Sequence, residues 1–412
     1  MSSDCFAECA RRAIAACRQI AGISEEPDRT TRRFLTPPAR EVQAWLRGRM
    51  EELGMTVHVD AAGNLRGLWM PSAARGRRLI LGSHIDTVPN AGAFDGVLGV
   101  AMALECAGIA QRLNISLPIE VIAFSEEEGV RFAAPFIGSR AAAGRFDPAL
   151  LKLKDSDGIS VEEAIRSFGL NPQAMDQAAV AEDALGFVEL HIEQGPALEA
   201  EDLRVAAVSA IAGQSRHTLT WTGQANHAGT TPMHLRRDAM AGAAKWIAAV
   251  ESCALRTEGL VATVGRIEAE PNTGNVIAGR VRLSLDARHV SDTIRTVAVE
   301  SLLAQAKAIA ARRGLAVEAT RQLDQPAVPM DERLTAWITD AMAAAGLPEK
   351  VMASGAGHDA MVMAARLPTA MLFVRSPGGL SHHPQETVRE EDVAAALAVC
   401  RNFLERLAAE VG

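Results

Sequence analysis

LILGSHIDTVPNAGAFDG, residues 79–96, and IEVIAFSEEEG, residues 119–129, each open on an apolar run of strand length and close on polar groups. Between them, residues 97–113 carry apolar side chains over a stretch long enough for several helical turns. An apolar strand, a crossover helix and a second apolar strand make a βαβ unit, the building block of parallel sheets buried on both faces. In such sheets ligands sit beyond the carboxyl ends of the strands. That edge is where Ser83, His84 and Asp86 follow one strand and Ser125, Glu126, Glu127 and Glu128 follow the other.

Working outward, Pro37 and Pro38 open a helix that Gly54 closes, and strands are expected over 55–59 and 64–69. The rhythm changes near residue 213. Strand, helix, two strands, helix and strand follow over 216–221, 237–255, 261–267, 276–288, 291–313 and 316–323, the order of a ferredoxin-like unit. After Pro326 and Pro329 the α/β pattern resumes, with helices over 332–345 and 359–365, a strand over 370–375 and a last helix over 390–410. The expected architecture is therefore α/β: a mixed, largely parallel sheet flanked by helices, built from 1–212 and 328–412, with an inserted ferredoxin-like α+β domain over 213–327.

The chain has 412 residues, 48% hydrophobic and 22% charged, which fits two folded domains and excludes a disordered or fibrous chain. A net charge of −8 without a basic run argues against nucleic acid or an anionic membrane as partner. Charges interrupt the first twenty residues, so neither a signal peptide nor a membrane span is expected, and the six cysteines are scattered without a CxxC pair. A cytoplasmic protein with reduced thiols is the expectation.

Four segments that follow apolar runs carry His or acidic residues: His84 with Asp86 and Asp95, the Glu126–Glu128 run, His191 with Gln194, and His382 with His383 and Glu386. Singly, a histidine in such a turn is more often a hydrogen-bonded turn residue, and an acidic run is usually a solvated loop. Convergence at one sheet edge changes that reading. Neighbouring carboxylates repel unless a cation lies among them, and imidazole and carboxylate together suit a divalent metal. Gly92 and Gly96 let the backbone fold tightly around such a centre.

The blocks GSHIDTVPNAGAFDG, EEEGVRF, HIEQGP, NHAGTTPMHLRRDAM, PNTGNVI, SGAGHDA and LSHHPQE resemble the amidohydrolase branch of the dinuclear metallopeptidase superfamily, which includes allantoate amidohydrolase and N-carbamoyl-L-amino-acid hydrolase. The resemblance implies two divalent metal ions per subunit, zinc or manganese, with cobalt or nickel also compatible. One would be held by His84, Asp95 and His191 and the other by Asp95, Glu128 and His382, with Asp95 bridging. Glu127 falls on the general-base position and Asp86 on one that orients His84. His227 would reach the active site of a partner subunit to stabilise an oxyanion, which implies a homodimer through the inserted domain. Asn275 and Arg288 match substrate-binding positions, Arg288 being suited to a bidentate carboxylate contact. Gln194, Gln214, Arg216, Gly355 and His358 are further polar or substrate-side candidates, while Glu126 and His383 take no role.

The implied reaction is hydrolysis of a ureido acid, with a lean to allantoate over N-carbamoyl-L-amino acids. An aminoacylase or dipeptidase of the same superfamily would use the same metals. A non-catalytic binding protein on this fold is the other class, disfavoured because Glu127 and every ligand position are filled.

Overall fold

The computed structural model describes residues 3–411 apart from 73, 75 and 76. The chain forms two compact units. One comprises the described residues through Ser209 and those from Met330 onward, and the other is Ala210–Pro329.

In chain order the first unit begins with helices α1 (Ser3–Ala21) and α2 (Pro37–Glu52). It continues through strands β1 (Thr56–Val59), β2 (Leu65–Trp69) and β3 (Leu79–His84), helix α3 (Val97–Arg112) and strand β4 (Ile119–Phe124). Short helices α4 (Ile137–Ala142) and α5 (Val161–Ser167), strand β5 (Gly186–Ile192), helix α6 (Ala197–Ala200) and strand β6 (Val205–Ile211) follow. Then come the elements of the second unit: β7 (Gly213–Thr222), β8 (Asn226–His227), α7 (Ala239–Arg256), β9 (Val261–Thr263), β10 (Ile267–Glu270), β11 (Val276–Ile277), β12 (Arg280–His289), α8 (Asp292–Arg312), β13 (Ala316–Gln325) and β14 (Val328–Pro329). The chain returns with α9 (Glu332–Ala344), β15 (Val351–Ser354), α10 (Asp359–Met363), β16 (Thr369–Val374) and α11 (Glu390–Val411).

The large sheet runs β1-β2-β4-β3-β5-β16-β6, with β15 also pairing with β6. Its centre, β4-β3-β5-β16, is parallel, while β1, β2 and β6 pair antiparallel. Every residue of β3, β4, β5 and β16 is buried, as the unbroken apolar runs require of strands covered on both faces. Helix α3 is buried almost all round and packs with α1, α9 and α11 residues into the main core. The central strands end together, at His84, Phe124, Ile192 and Val374, so the polar segments after them share one edge.

The second unit is an antiparallel sheet, β10-β12-β7-β13 with β9 also on β12. Its core is formed by Leu219, Trp221, Val281, Leu283 and Leu285 against Trp246, Leu302 and Ile309 of the two helices. Two expected strands are broken. The run 261–267 divides into β9 and β10, which pair with different parts of β12. The run 276–288 divides at Ala278 and Gly279, so that β11 leaves the main sheet and pairs with β8.

Candidate active site

In the first unit, His84 at the end of β3 and His191 near the end of β5 bring their Nε2 atoms to 3.4 Å. Each Nδ1 faces a main-chain carbonyl, that of Asp86 at 3.1 Å for His84 and that of Ile192 at 2.8 Å for His191. Donation from Nδ1 leaves the Nε2 lone pair of the neutral ring exposed. Both Nε2 atoms approach Asp95 Oδ1, at 3.6 Å and 3.3 Å. That oxygen is buried and has no hydrogen-bond partner. Converging lone pairs around an orphaned carboxylate oxygen repel one another until a cation or protons enter, so this donor set fits a divalent metal.

Asp95 Oδ2 faces the other way. His382 Nε2 lies 3.2 Å from it and 3.4 Å from Glu128 Oε1. The sets His84, Asp95, His191 and Asp95, Glu128, His382 each gather their ligand atoms within 4.8 Å. One carboxylate therefore presents an oxygen to each of two groups. His84, Glu127 and Glu128 form a further overlapping group, as do Glu189, His191 and His358.

The electrostatics follow from crowding acids and imidazoles in a dry place. Burial alone would raise the Asp95 carboxyl, but contacts with His191, His382 and His84 outweigh it and hold it well below the carboxylate range. Burial opposes a charged His84, yet Asp86 and Asp95 raise its pKa well above the ordinary imidazole value. Contact with Asp95 pushes His382 up to about 9. Burial, reinforced by Asp95, pushes Glu128 up to about 7, and burial raises Glu127 well above its usual range despite His84 nearby.

Local structure explains how the loops hold these groups. Gly96 has φ +67°, and a Cβ there would lie 2.5 Å from the His84 ring. At Gly92 a Cβ would meet Glu386 at 2.3 Å. The side chain of Glu386 crosses to this loop, its Oε1 accepting from the Phe94 and Asp95 amides at 2.8 and 2.9 Å. Glu386 stands inside a quoted motif yet carried no assignment; its single acidic charge gave no local sign that it braces a loop 292 residues away.

Asp86 faces His84 Nδ1 through its carbonyl at 3.1 Å and its Oδ1 at 3.5 Å, and Oδ1 and Oδ2 also accept from the amides of Glu127 and Glu128 at 2.9 and 3.0 Å. Asp86 thus anchors the turn carrying the expected base. Gln194 Nε2 donates to Asp95 Oδ2 at 2.9 Å. Ser381 Oγ donates to the same oxygen at 2.9 Å. His358 is buried, with Nε2 2.8 Å from Ser354 Oγ and its ring 4.4 Å from that of His191. Burial and the neighbouring His191 drive its pKa well below the imidazole value. A Cβ at Gly355 would meet no heavy atom within 4 Å. Glu126 is fully buried, and neither carboxylate oxygen has a hydrogen-bond partner.

In the second unit the β8–β11 ladder sets His227 opposite Val276, and the Asn275 carbonyl accepts from the Ala228 amide at 2.9 Å. Both His227 and Asn275 are exposed. The Gly229 and Thr230 amides donate to His227 Nδ1 at 3.0 and 3.2 Å, which leaves Nε2 as the protonated nitrogen of the neutral ring. Gln214, Arg216 and Arg288 also come together, around a residue that the sequence reading missed. Asp286 accepts from Arg288 Nε and Nη2, both at 3.0 Å, from Gln214 Nε2 at 2.7 Å and from Arg216 Nε at 3.0 Å. Asp286 and Arg288 stand two apart on β12, a spacing that places both on one sheet face and was available as a signal.

Residues 80–406 match the family model described as Peptidase family M20/M25/M40. The chain is 38% identical to an N-carbamoyl-L-amino acid amidohydrolase of Geobacillus stearothermophilus, over 95% of this chain and 96% of that protein. It is 36% identical to the allantoate deiminase of Arabidopsis thaliana, over 95% of this chain and 81% of that one. Among solved structures, an amidase of the hydantoinase/carbamoylase family from Burkholderia multivorans superposes with a TM-score of 0.90 at 33% identity, covering 96% of this chain and 97% of the other. With that coverage and identity, the chain belongs to the M20/M25/M40 family.

Proposed function

We propose that this protein hydrolyses the linear amide C–N bond of a ureido acid, allantoate or an N-carbamoyl-L-amino acid, with two divalent ions. The observation that carries this reading is the Asp95 carboxylate, whose two oxygens face two separate histidine sets beside the buried Glu127. His84, Asp95 and His191 would hold one ion, and Asp95, Glu128 and His382 the other. When bound, such ions supply Lewis acidity that makes water a nucleophile at neutral pH and polarises the scissile carbonyl.

The remaining work belongs to the chain. Glu127 accepts a proton from the attacking water and returns it to the departing nitrogen, and burial keeps its basicity above that of a solvated carboxylate. His227, with Nδ1 engaged by two amides, offers Nε2–H to the carbonyl oxygen as negative charge develops. Arg288 takes the substrate carboxylate. The protein acts as a cytoplasmic homodimer in which His227 serves the partner's site. No helix among the described residues is long and apolar enough to cross a membrane.

Activity of metal-reconstituted protein on allantoate, N-carbamoyl-L-methionine and 3-ureidopropionate, read as ammonia release beside N-acetyl-L-methionine hydrolysis, tests the reading. Ureido acids should dominate. Turnover confined to the N-acyl substrate would replace it with an aminoacylase.

A further inference from the structure

Gln214 and Arg216 on β7 stand in register with Arg288 and Asp286 on β12. Cross-strand partners share a face, and residues two apart stay on it, so the four side chains form one square. The alternate residues Ser215 and Ala287 are buried toward the other face. The square is open to solvent, with side-chain exposures of 30% for Arg288, 28% for Asp286 and 51% for Arg216. Next in register on the same face are Val261 and Thr263 on β9 and Leu323 and Gln325 on β13, none of them charged. The square therefore holds two guanidinium groups against one carboxylate, a net single positive charge among its four side chains.

Resting on the ureido-acid reading above, we propose that Asp286 is a specificity-determining and positioning residue. It clamps the Arg288 fork in plane and lowers the charge of the square to the value that one substrate carboxylate neutralises, so that monocarboxylate ureido acids are selected over dicarboxylate ones. Without Asp286, two like charges would face each other and a second carboxylate would be welcome. With it, a second carboxylate meets an anion already in place, and like-charge juxtaposition is an effective means of excluding the wrong ligand. The side-on pairing of Nε and Nη2 also fixes the guanidinium plane, which a bidentate partner needs.

The test compares kcat and KM for N-carbamoyl-L-methionine, with one carboxylate, and N-carbamoyl-L-aspartate, with two, in the wild type, Asp286→Asn and Arg216→Gln. Asp286→Asn should raise the diacid-to-monoacid ratio of kcat/KM by about tenfold or more, mainly through KM, as removing one charge a few ångströms from the ligand requires. Arg216→Gln, at the most exposed corner, should move the ratio the other way, and Asp286→Glu should keep the wild-type preference. A ratio unchanged in both Asp286→Asn and Arg216→Gln overturns the proposal, and if Asp286→Asn fails to fold, Arg216→Gln decides alone. Wild-type protein that turns over neither compound, nor allantoate, would instead sink the ureido-acid reading. The charge proposal is then read from calorimetric binding of the same two compounds, where an unchanged ratio again overturns it.

Discussion

Glu127 and Asp95 are neighbours in the same buried cluster, yet their substitutions should fail in opposite ways. Glu127→Gln keeps the shape and leaves both ligand sets intact while removing the proton acceptor. Metal content should be unchanged and kcat should fall by ~10²–10⁴, the usual cost of losing a general base. Near-full kcat would remove Glu127 from that role. Asp95→Ala deletes the one carboxylate whose oxygens face both histidine sets, and elemental analysis should find the two ions lost together. Retention of two ions per chain would contradict the bridging assignment. At this scale the motif residues were legible, because their chemistry is written in their identity. Their partners were not: that Asp86 spends its carboxylate on the Glu127 and Glu128 amides, or that Gln194 bonds Asp95, depends on chain segments far apart in sequence.

Among the elements, the turn from β3 into α3 shows how packing, not conformation alone, makes a glycine indispensable. Gly54, just after α2, and Gly96, at the start of α3, have nearly the same φ, +68° and +67°. A Cβ at Gly54 would touch nothing within 4 Å, whereas at Gly96 it would lie 2.5 Å from the His84 ring. Gly54→Ala should therefore cost only the left-handed penalty, ~1–2 kcal/mol, and keep full metal content. Gly96→Ala should cost more in thermal unfolding and lose metal from the His84 set, since the ring must move. Equal loss of stability and metal in the two variants would show that the His84 contact is immaterial. Most elements could be read from sequence because burial on two faces produces unbroken apolar strands such as β3, β4 and β16. Strands β6 and β15 escaped, the first alanine-rich and the second only four residues long, and the split of 276–288 into β11 and β12 followed from pairing with β8.

For the whole molecule, the composite site proposed above makes a prediction that no single chain can satisfy. Mixing Glu127→Gln subunits with His227→Ala subunits, each inactive alone, should restore activity, because a hybrid dimer holds one site with both residues intact. No recovery after proven subunit exchange would place His227 in its own chain's chemistry. The sequence by itself determined the α/β class and the identities of the residues at the strand ends. It could do so because hydrophobic periodicity is a local record of burial, and strand ends of a parallel sheet share an edge whatever the detailed packing. Only the tertiary structure decided which atoms meet: that one oxygen of Asp95 faces His84 and His191 and the other faces His382, that His227 lies in a short ladder beside Asn275, and that Gln214, Arg216 and Arg288 gather around Asp286. Those pairings are set by strand register and loop closure between distant segments, and residue identity alone does not encode them.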